Sequence, residues 1–258
     1  MVDLVSALFL GIVQGLTEWL PISSSGHLVI VQQIMKMNVP LFFDVILHLG
    51  TLLAVIVFFW KDILKILKSL FTLNFNSEEG KLIKFIIIGS IPVALIGYLF
   101  HDIIESFFSN LLTVGLSLII TGTFLLLTKK SKGRNELKLF DSIIIGIAQA
   151  FALIPGISRS GATISTGLFK GIDKKTVFKF SFLLSIPAII GANLLELTKN
   201  PITQTDVLPL FVCVITSAIV GYLSLKFLYG MLTKGKFYYF SFYCFILGIL
   251  VLVYSLMV

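Results

Sequence analysis

Charged residues are scarce in this chain. Asp, Glu, Lys and Arg make up 13% of its 258 residues, about half of the roughly 25% that soluble domains carry. Hydrophobic residues make up 57%, and the mean hydropathy is +1.03. So few charges cannot cover a water-soluble surface, so the composition excludes a soluble globular domain and predicts an integral membrane protein.

Cysteine and signal-peptide features are also nearly absent. Cys213 and Cys244 lie in apolar stretches without metal-ligand spacing, which is typical of small buried hydrophobic residues rather than a zinc site or a disulfide framework. The start of the chain lacks the basic region of a cleavable signal peptide. We therefore expect the first apolar stretch to be retained.

Six apolar runs are each long enough to cross a bilayer, for which a helix needs about 20 residues. They cover residues 41–60, 85–100, 111–128, 177–198, 208–229 and 237–258. Two further apolar stretches, residues 2–37 and 139–170, are interrupted by polar residues. The sequence thus predicts a polytopic helical membrane protein with six crossings and two unusual segments.

The basic residues indicate how these segments are oriented. The net charge is +7, but Lys and Arg are grouped between spans rather than on one basic face, so we expect no nucleic-acid binding. The positive-inside rule places such groups in the cytoplasm. They lie within 61–84, 129–138, 170–179 and 226–236, whereas the basic-poor segments 101–110 and 199–207 are assigned to the outside.

These assignments predict two re-entrant hairpins. Segment 139–170 has a basic cluster at each end, so it is predicted to enter from the cytoplasm, turn at Pro155 to Gly161, and return. By the same logic, segment 2–37 enters and leaves from outside and turns at Pro21 to Gly26.

The two hairpins also match each other in sequence at an offset of 135 residues, the difference between Gly11 and Gly146. The matched pairs are Gly11/Gly146, Ile12/Ile147, Gln14/Gln149, Ile22/Ile157, Ser23/Ser158, Ser25/Ser160 and Gly26/Gly161. Each half is one hairpin followed by three crossings, so the halves have opposite orientations. We predict an all-α polytopic fold, one membrane domain over 1–258, built from two inverted repeats at 1–128 and 139–258. Such repeats place a site at the midplane where half-helices meet.

Polar islands at Gly11 to His27 and Pro155 to Gly161 mark that site. An ionisable side chain at membrane depth costs roughly 2.5 to 3.5 kcal/mol unless it is paired or wetted, and therefore indicates function. Gln14 and Glu18 are four residues apart and share one helix face. Two facing helix N-termini with Arg159 would bind a phosphate or diphosphate. The candidate binding residues are Gln14, Ser23, Ser25, Gly26, Ser158, Ser160 and Gly161.

The repeats differ in the residues that carry chemistry. At the 135-residue offset, Glu18 becomes Leu153, His27 becomes Ala162 and Ser24 becomes Arg159. One half thus brings acid, base and nucleophile and the other brings charge neutralisation, which indicates a hydrolase. We take Ser24 as the candidate nucleophile, activated by Glu18 or His27 while the other acts on the leaving group; attack by a metal-activated water is the alternative.

Other interpretations remain open for single residues. Serines and glycines at these positions are also normal helix caps and packing residues, and a lone histidine such as His27 is often an interior residue. Glu18, with Gln14 or Asp44, could hold Mg²⁺ or Ca²⁺ together with phosphate. Asp44 and His48 could instead pair with each other or face the outer interface.

Five motifs resemble those of the bacterial undecaprenyl-diphosphate phosphatase family associated with bacitracin resistance, and the resemblance extends over essentially the whole chain. They are Gln14-x-x-x-Glu18, Pro21-Ile-Ser-Ser-Ser-Gly-His27, Phe43-Asp44-Val45, Pro155-Gly-Ile-Ser-Arg-Ser-Gly-Ala-Thr163 and Ser181-Phe-Leu-Leu-Ser-Ile-Pro187. The chain departs from the family pattern where Gln14 and Asp44 replace a frequent Glu and Ser25 a frequent Thr.

The resemblance implies hydrolysis of undecaprenyl diphosphate to the monophosphate at the outer face of the cytoplasmic (inner) membrane, recycling the lipid carrier for peptidoglycan synthesis. It implies that Glu18, His27, Arg159 and a serine of the first turn are catalytic and that a divalent cation is required. The alternative is a transporter or flippase of polyprenyl phosphate, because inverted repeats are a carrier architecture. Homodimerisation is left open.

Overall fold

The computed structural model describes residues 3–35, 41–131, 133, 136–199 and 207–257. Every regular element in these ranges is helical, as the composition predicts. Besides two short 3-10 turns, at Thr128–Lys130 and Phe237–Tyr239, there are twelve α-helices in the described ranges. They are α1 Leu4–Trp19, α2 Ser24–Ile34, α3 Leu41–Phe58, α4 Trp60–Phe71, α5 Glu78–Leu99, α6 His101–Phe107, α7 Leu111–Leu127, α8 Leu139–Phe151, α9 Arg159–Phe169, α10 Lys174–Lys199, α11 Val207–Thr233 and α12 Phe240–Ser255.

Two helical hairpins lie where the sequence predicts them, and their turns are shorter than expected. The first joins α1 to α2 and the second joins α8 to α9. Helix α2 already begins at Ser24 and α9 at Arg159, within the segments predicted as turns. The reason is capping: the Oγ of Ser23 accepts from the Gly26 amide, and the Oγ of Ser158 accepts from the Gly161 amide, which satisfies N–H groups of the first helical turn.

Four helices are individually long and apolar enough to cross a membrane. They are Glu78–Leu99, Lys174–Leu195, Val207–Thr233 and Phe237–Ser255. Two bent helix pairs raise the number of candidate spans to six when each pair is taken as one span. The described residues therefore form an all-helical, multi-pass membrane protein.

The two bent pairs add detail to the sequence-based boundaries. Helix α3 covers most of the predicted run 41–60, and at its end the chain bends, since Val45–Phe58 and Trp60–Phe71 meet at 82°. Helix α4 carries Lys61, Lys65 and Lys68 between apolar residues, and such an amphipathic helix is more stable along an interface than across a bilayer. The segment 101–110, assigned to the outside between two predicted spans, contains α6, which bends from α7 by 93°.

Each hairpin packs against a helix from the other half of the chain. Helix α1 lies along α11, and α8 lies along α5. Glycines allow both approaches: a Cβ at Gly15 would lie 2.9 Å from the amide nitrogen of Gly221, and one at Gly146 would lie 2.9 Å from the carbonyl carbon of Gly89. Small residues at such contacts let helix backbones approach closely within a membrane.

The largest hydrophobic core lies beside the first hairpin. The Trp19 ring meets Phe182 edge-on at 5.3 Å, and Phe182 packs against Phe178 at 4.5 Å. These rings join the end of α1 to α10. The core therefore holds the end of α1, where the polar residues begin.

Helices α2 and α9 are equivalent in the internal repeat. Their first residues, and likewise their last, are separated by the repeat's offset, since α2 spans Ser24–Ile34 and α9 spans Arg159–Phe169. The opposite orientation of the two halves in a membrane stays a prediction.

Replacing Gly146 with alanine tests the close approach of α8 to α5. Because the added Cβ would meet the backbone of Gly89, we expect Gly146→Ala to cost about 1 to 3 kcal/mol, as overpacking does in other cores. The measurement is the melting temperature of the purified protein in detergent. The matched control is Gly230→Ala, where a Cβ would meet nothing within 4 Å; equal melting temperatures for the two variants would contradict the packing described.

Candidate active site

Glu18 is the centre of the polar region, at the end of α1. It is 7% exposed, and the fully buried Gln14, one turn earlier, donates from Nε2 to Glu18 Oε2 over 3.1 Å. The shared helix face predicted for these two residues is confirmed. A carboxylate this deeply buried requires neutralising partners.

Arg159 supplies the opposite charge from the second hairpin. As the first residue of α9, it places NH2 2.6 Å from Glu18 Oε1. Its guanidinium also lies 4.9 Å from the centre of the Trp19 ring, a cation–π contact that fixes the plane of the group. The two hairpin turns, 141 residues apart at these positions, therefore meet at one ion pair.

Ser24 and His48 surround the other carboxylate oxygen. The Oγ of Ser24 donates to Glu18 Oε2 over 2.5 Å, and Nε2 of His48 lies 3.4 Å from the same oxygen. A hydroxyl donating to a carboxylate has the geometry of a nucleophile with its general base. His48, which comes from α3, was not among the residues assigned to the site from sequence.

Ser23 joins the two turns through their backbones. Its Oγ accepts from the amide of Gly26 at 3.2 Å and from the amide of Gly156 at 3.0 Å. Ser23 itself has φ +69° and Gly156 has φ +96°, and the second of these conformations favours glycine. A Cβ at Gly156 would also lie 2.6 Å from Ser117 Cβ, so a side chain there would push the turn away from α7.

Thr121 on α7 supports the second turn. Its Oγ1 donates to the carbonyl oxygen of Gly156 at 2.9 Å and accepts from the amide of Ser158 at 3.1 Å. Non-helical backbone at membrane depth needs such partners, because lipid offers none.

The serines predicted to bind substrate also cap the helices. Ser158 and Ser160 are 2% and 1% exposed, with their hydroxyls 3.3 Å apart, and Ser23 and Ser25 lie 3.2 Å apart through theirs. The capping interpretation left open by the sequence thus holds for Ser23 and Ser158. Binding by these serines and by Gly26 and Gly161 stays a prediction.

His27 lies on the first turn of α2 with different partners from those expected. Its Nδ1 is 2.7 Å from the carbonyl oxygen of Ser23, and its Nε2 is 2.6 Å from the hydroxyl of Tyr243. Among the described residues it makes no hydrogen bond to Glu18 or Ser24. Of the two candidate bases, Glu18 is the one that accepts a hydrogen bond from Ser24 among the described contacts.

The oxygen atoms available to a divalent cation are few. Gln14 Oε1 is buried without a hydrogen-bond partner, which suits a ligand atom, and it lies on the side chain that contacts Glu18. The side chain of Asp44 lies outside the described part of the structure. Another group, His101, Asp102 and Glu105 on α6, brings its ligand atoms within 4.8 Å of one another but is largely exposed.

An apolar cleft of about 670 Å³ extends from His48 to α6. Its walls come from α3, α5, α6 and α10, with small residues such as Ala94, Gly97 and Ala188 leaving the space open. Because His48 also contacts Glu18, the cleft ends beside the polar centre. An apolar channel that leads to a buried carboxylate and an arginine suits a lipid with an anionic head group.

Sequence reasoning missed His48, Trp19, Thr121 and Tyr243. Trp19 is next to Glu18 and so carried a local signal, and His48 follows Asp44 by one turn. Thr121 and Tyr243 are isolated polar residues in apolar helices, and nothing in the spacing connects them to the hairpins.

Comparisons with known proteins identify the family to which this sequence is similar. The family model described as Bacitracin resistance protein BacA matches residues 7–250. Similar curated proteins are named undecaprenyl-diphosphatase. One from Korarchaeum cryptofilum is 43% identical over 97% of this chain and 98% of its own length, one from Carboxydothermus hydrogenoformans is 45% identical over 96% and 95%, and one from Caldicellulosiruptor bescii is 45% identical over 97% and 97%.

Removing the Ser23 hydroxyl tests the link between the turns. Ser23→Ala leaves the amides of Gly26 and Gly156 without this acceptor, and a buried unsatisfied donor costs about 1 to 3 kcal/mol. We expect the melting temperature in detergent to fall by about 5 °C. Ser25→Ala is the control, because Ser25 also loses the hydroxyl contact to Ser23 but accepts from neither amide. A Ser23→Ala protein as stable as this control would contradict the assigned link.

Proposed function

This chain belongs to the bacitracin resistance protein BacA family, and we propose that it is an integral membrane phosphatase that hydrolyses undecaprenyl diphosphate to undecaprenyl phosphate and phosphate. The curated relatives carry the name undecaprenyl-diphosphatase over nearly their whole lengths. In this proposal the reaction recycles the lipid carrier for cell-wall synthesis and gives resistance to bacitracin.

The observation that carries the proposal is the meeting of Glu18, Ser24 and Arg159. Phosphoryl transfer needs a positioned nucleophile, a proton acceptor and neutralisation of the phosphate oxygens. Ser24 donates to Glu18, and Arg159 lies against the same carboxylate. The guanidinium has five N–H donors in a fork that matches phosphate geometry, so it can hold a substrate that reaches this pair.

We assign the first step to attack by Ser24. Its Oγ forms a bond to the terminal phosphorus while its proton passes to Glu18 Oε2. The bond from phosphorus to the bridging oxygen breaks, and the electron pair leaves with the prenyl monophosphate. Water then hydrolyses the phosphoserine, and Ser24 regains its proton from Glu18. We assign His27 to the proton transfers that accompany hydrolysis of the phosphoserine. Direct attack by water on the diphosphate is the competing mechanism.

The amides at the starts of α2 and α9 form the proposed anion site. Both helices have 11 residues and begin beside the ion pair, and the partial positive charge at a helix N-terminus favours phosphate. In this site Gln14, Ser23, Ser25 and Gly26 face the substrate from the first hairpin. Ser158, Ser160 and Gly161 do so from the second.

A divalent cation, Mg²⁺ or Ca²⁺, is part of the proposal. Gln14 and Glu18 would hold it together with phosphate oxygens, and Asp44 is the third candidate ligand. When bound, such a cation neutralises charge on the diphosphate. The unpartnered Gln14 Oε1 supports this placement.

The proposal also covers the membrane setting. We place the protein in the inner (cytoplasmic) membrane as two inverted repeats, with the site open to the extracytoplasmic side and the prenyl chain in the apolar cleft. The cleft supports an extracytoplasmic opening because it reaches α6. Helix α6 carries Asp102 and Glu105 but no Lys or Arg, which agrees with the positive-inside rule for an outer segment.

Phosphate release from undecaprenyl diphosphate by the purified protein tests the function. Glu18→Gln removes the proton acceptor and should lower kcat about 100-fold or more, within the range for general-base removal. Ser24→Ala should abolish turnover, and Arg159→Lys should lose most of it because an ammonium lacks the two-pronged geometry. Release is measured with Mg²⁺ or Ca²⁺ and again with EDTA, and each variant's melting temperature is checked.

Ser106→Ala, on the exposed face of α6, is the matched control and should keep the wild-type rate. Wild-type protein that binds the lipid diphosphate without releasing phosphate would overturn the proposal and favour the polyprenyl phosphate carrier.

Cysteine labelling tests the orientation. The native Cys213 and Cys244 are both 0% exposed, so background labelling is expected to be low. A membrane-impermeant maleimide should label Ser106→Cys in intact cells and Lys129→Cys only after permeabilisation. Labelling of Lys129→Cys in intact cells would reverse the predicted orientation.

A further inference from the structure

Both ring nitrogens of His27 are held by hydrogen bonds. Nδ1 lies 2.7 Å from the carbonyl oxygen of Ser23, and Nε2 lies 2.6 Å from the hydroxyl of Tyr243. The two rings are nearly parallel, with an angle of 8° between their planes and 5.7 Å between their centroids. Tyr243 comes from α12, 216 positions along the chain from His27.

The partners decide which nitrogen carries the proton. A carbonyl oxygen only accepts, so Nδ1 of His27 must be the N–H that donates to Ser23. The Tyr243 hydroxyl can donate, so it satisfies a neutral imidazole whose lone pair lies on Nε2. The bond to Ser23 thus sets the tautomer, and the Tyr243 hydroxyl is the described partner of the Nε2 lone pair.

The helix that carries Tyr243 lies against the first turn. Cys244, the residue after Tyr243, is fully buried, and the Sγ of Cys244 donates to the carbonyl oxygen of Pro21 over 3.5 Å. Helix α12 also packs closely along α7, where a Cβ at Gly115 would lie 2.7 Å from Leu252. Two successive residues of α12 therefore contact the first hairpin, Tyr243 at His27 and Cys244 at Pro21.

We propose that Tyr243 is a positioning residue. The Ser23 carbonyl sets the tautomer with the proton on Nδ1, and the Tyr243 hydroxyl holds the imidazole ring so that Nε2 is the proton-accepting atom. The catalytic part rests on the proposed phosphatase function. In that reaction, water replaces the Tyr243 hydroxyl at Nε2 and attacks the phosphoserine. One water proton passes to Nε2, the bond from phosphorus to Ser24 Oγ breaks with its electron pair on Oγ, and Glu18 returns the proton to Ser24.

Nitrogen-15 NMR of the histidine rings tests the tautomer without substrate. The chain has only three histidines, and a His27→Gln variant assigns the His27 signals. We expect a protonated Nδ1 and an unprotonated Nε2 in the wild type. In Tyr243→Phe, which keeps the ring and removes the hydroxyl, we expect Nδ1 to stay protonated and the Nε2 signal to shift toward that of a nitrogen lone pair without a hydrogen bond. Tyr254→Phe, also on α12, is the matched control and should leave the His27 signals unchanged.

Turnover tests the catalytic part. Tyr243→Phe should lower kcat about tenfold, the equivalent of one hydrogen bond, and should leave KM unchanged. Acid quenching should trap phosphorylated Ser24 in Tyr243→Phe and in His27→Gln. It should trap none in Glu18→Gln. The loss caused by Tyr243→Phe should disappear in a His27→Gln background.

A wild-type His27 protonated on Nε2 would overturn the proposal, as would a Tyr243→Phe protein with unchanged His27 signals and turnover. An equal loss from Tyr243→Phe with and without His27 would also overturn it. A protein that releases no phosphate would instead defeat the proposed function, while the NMR measurement would still decide the tautomer.

Discussion

A single buried ion pair, between Glu18 and Arg159, is the interaction on which the rest of the structure depends. Each charge comes from a different helical hairpin, and neither is compatible alone with a low-dielectric interior, since breaking such a pair costs about 3 to 5 kcal/mol. The pair therefore requires both turns to stay together. It also prepares the site, because the carboxylate that neutralises Arg159 is the one that accepts the hydrogen bond from Ser24.

The backbone around the pair is arranged to keep the turns at a fixed distance. Ser23 bonds to the amide of Gly156 across the hairpins, and Thr121 binds the second turn from α7. Glycine contacts hold α1 on α11 and α8 on α5. Because each hairpin is clamped by a helix from the other half of the chain, neither half can place its turn without the other.

The sequence predicted the parts that depend on local pattern or on the repeat. Apolar length identified the spans, and the 135-residue offset correctly paired the turns that bring Glu18 and Arg159 together. It did not identify the 82° bend after Phe58, because an apolar run followed by a basic cluster gives the length of a span and not its angle to the next helix. Nor did it identify Tyr243, because a hydrogen bond across 216 positions depends on helix packing that spacing does not encode.

The two hairpins match in sequence, but one contributes a polar surface and the other contributes an apolar surface as well as Arg159. At the position of Glu18, the second repeat has Leu153, and this leucine lines the apolar cleft, where it lies 3.6 Å from a Cβ placed on Gly97. The same structural position thus carries the buried carboxylate in one half and a hydrophobic wall in the other. In the proposed reaction, a lipid diphosphate contacts both surfaces within the length of one molecule. The two turns meet at Glu18 and Arg159, and Leu153 of the second turn lines the cleft. The polar surface and the apolar surface therefore lie side by side.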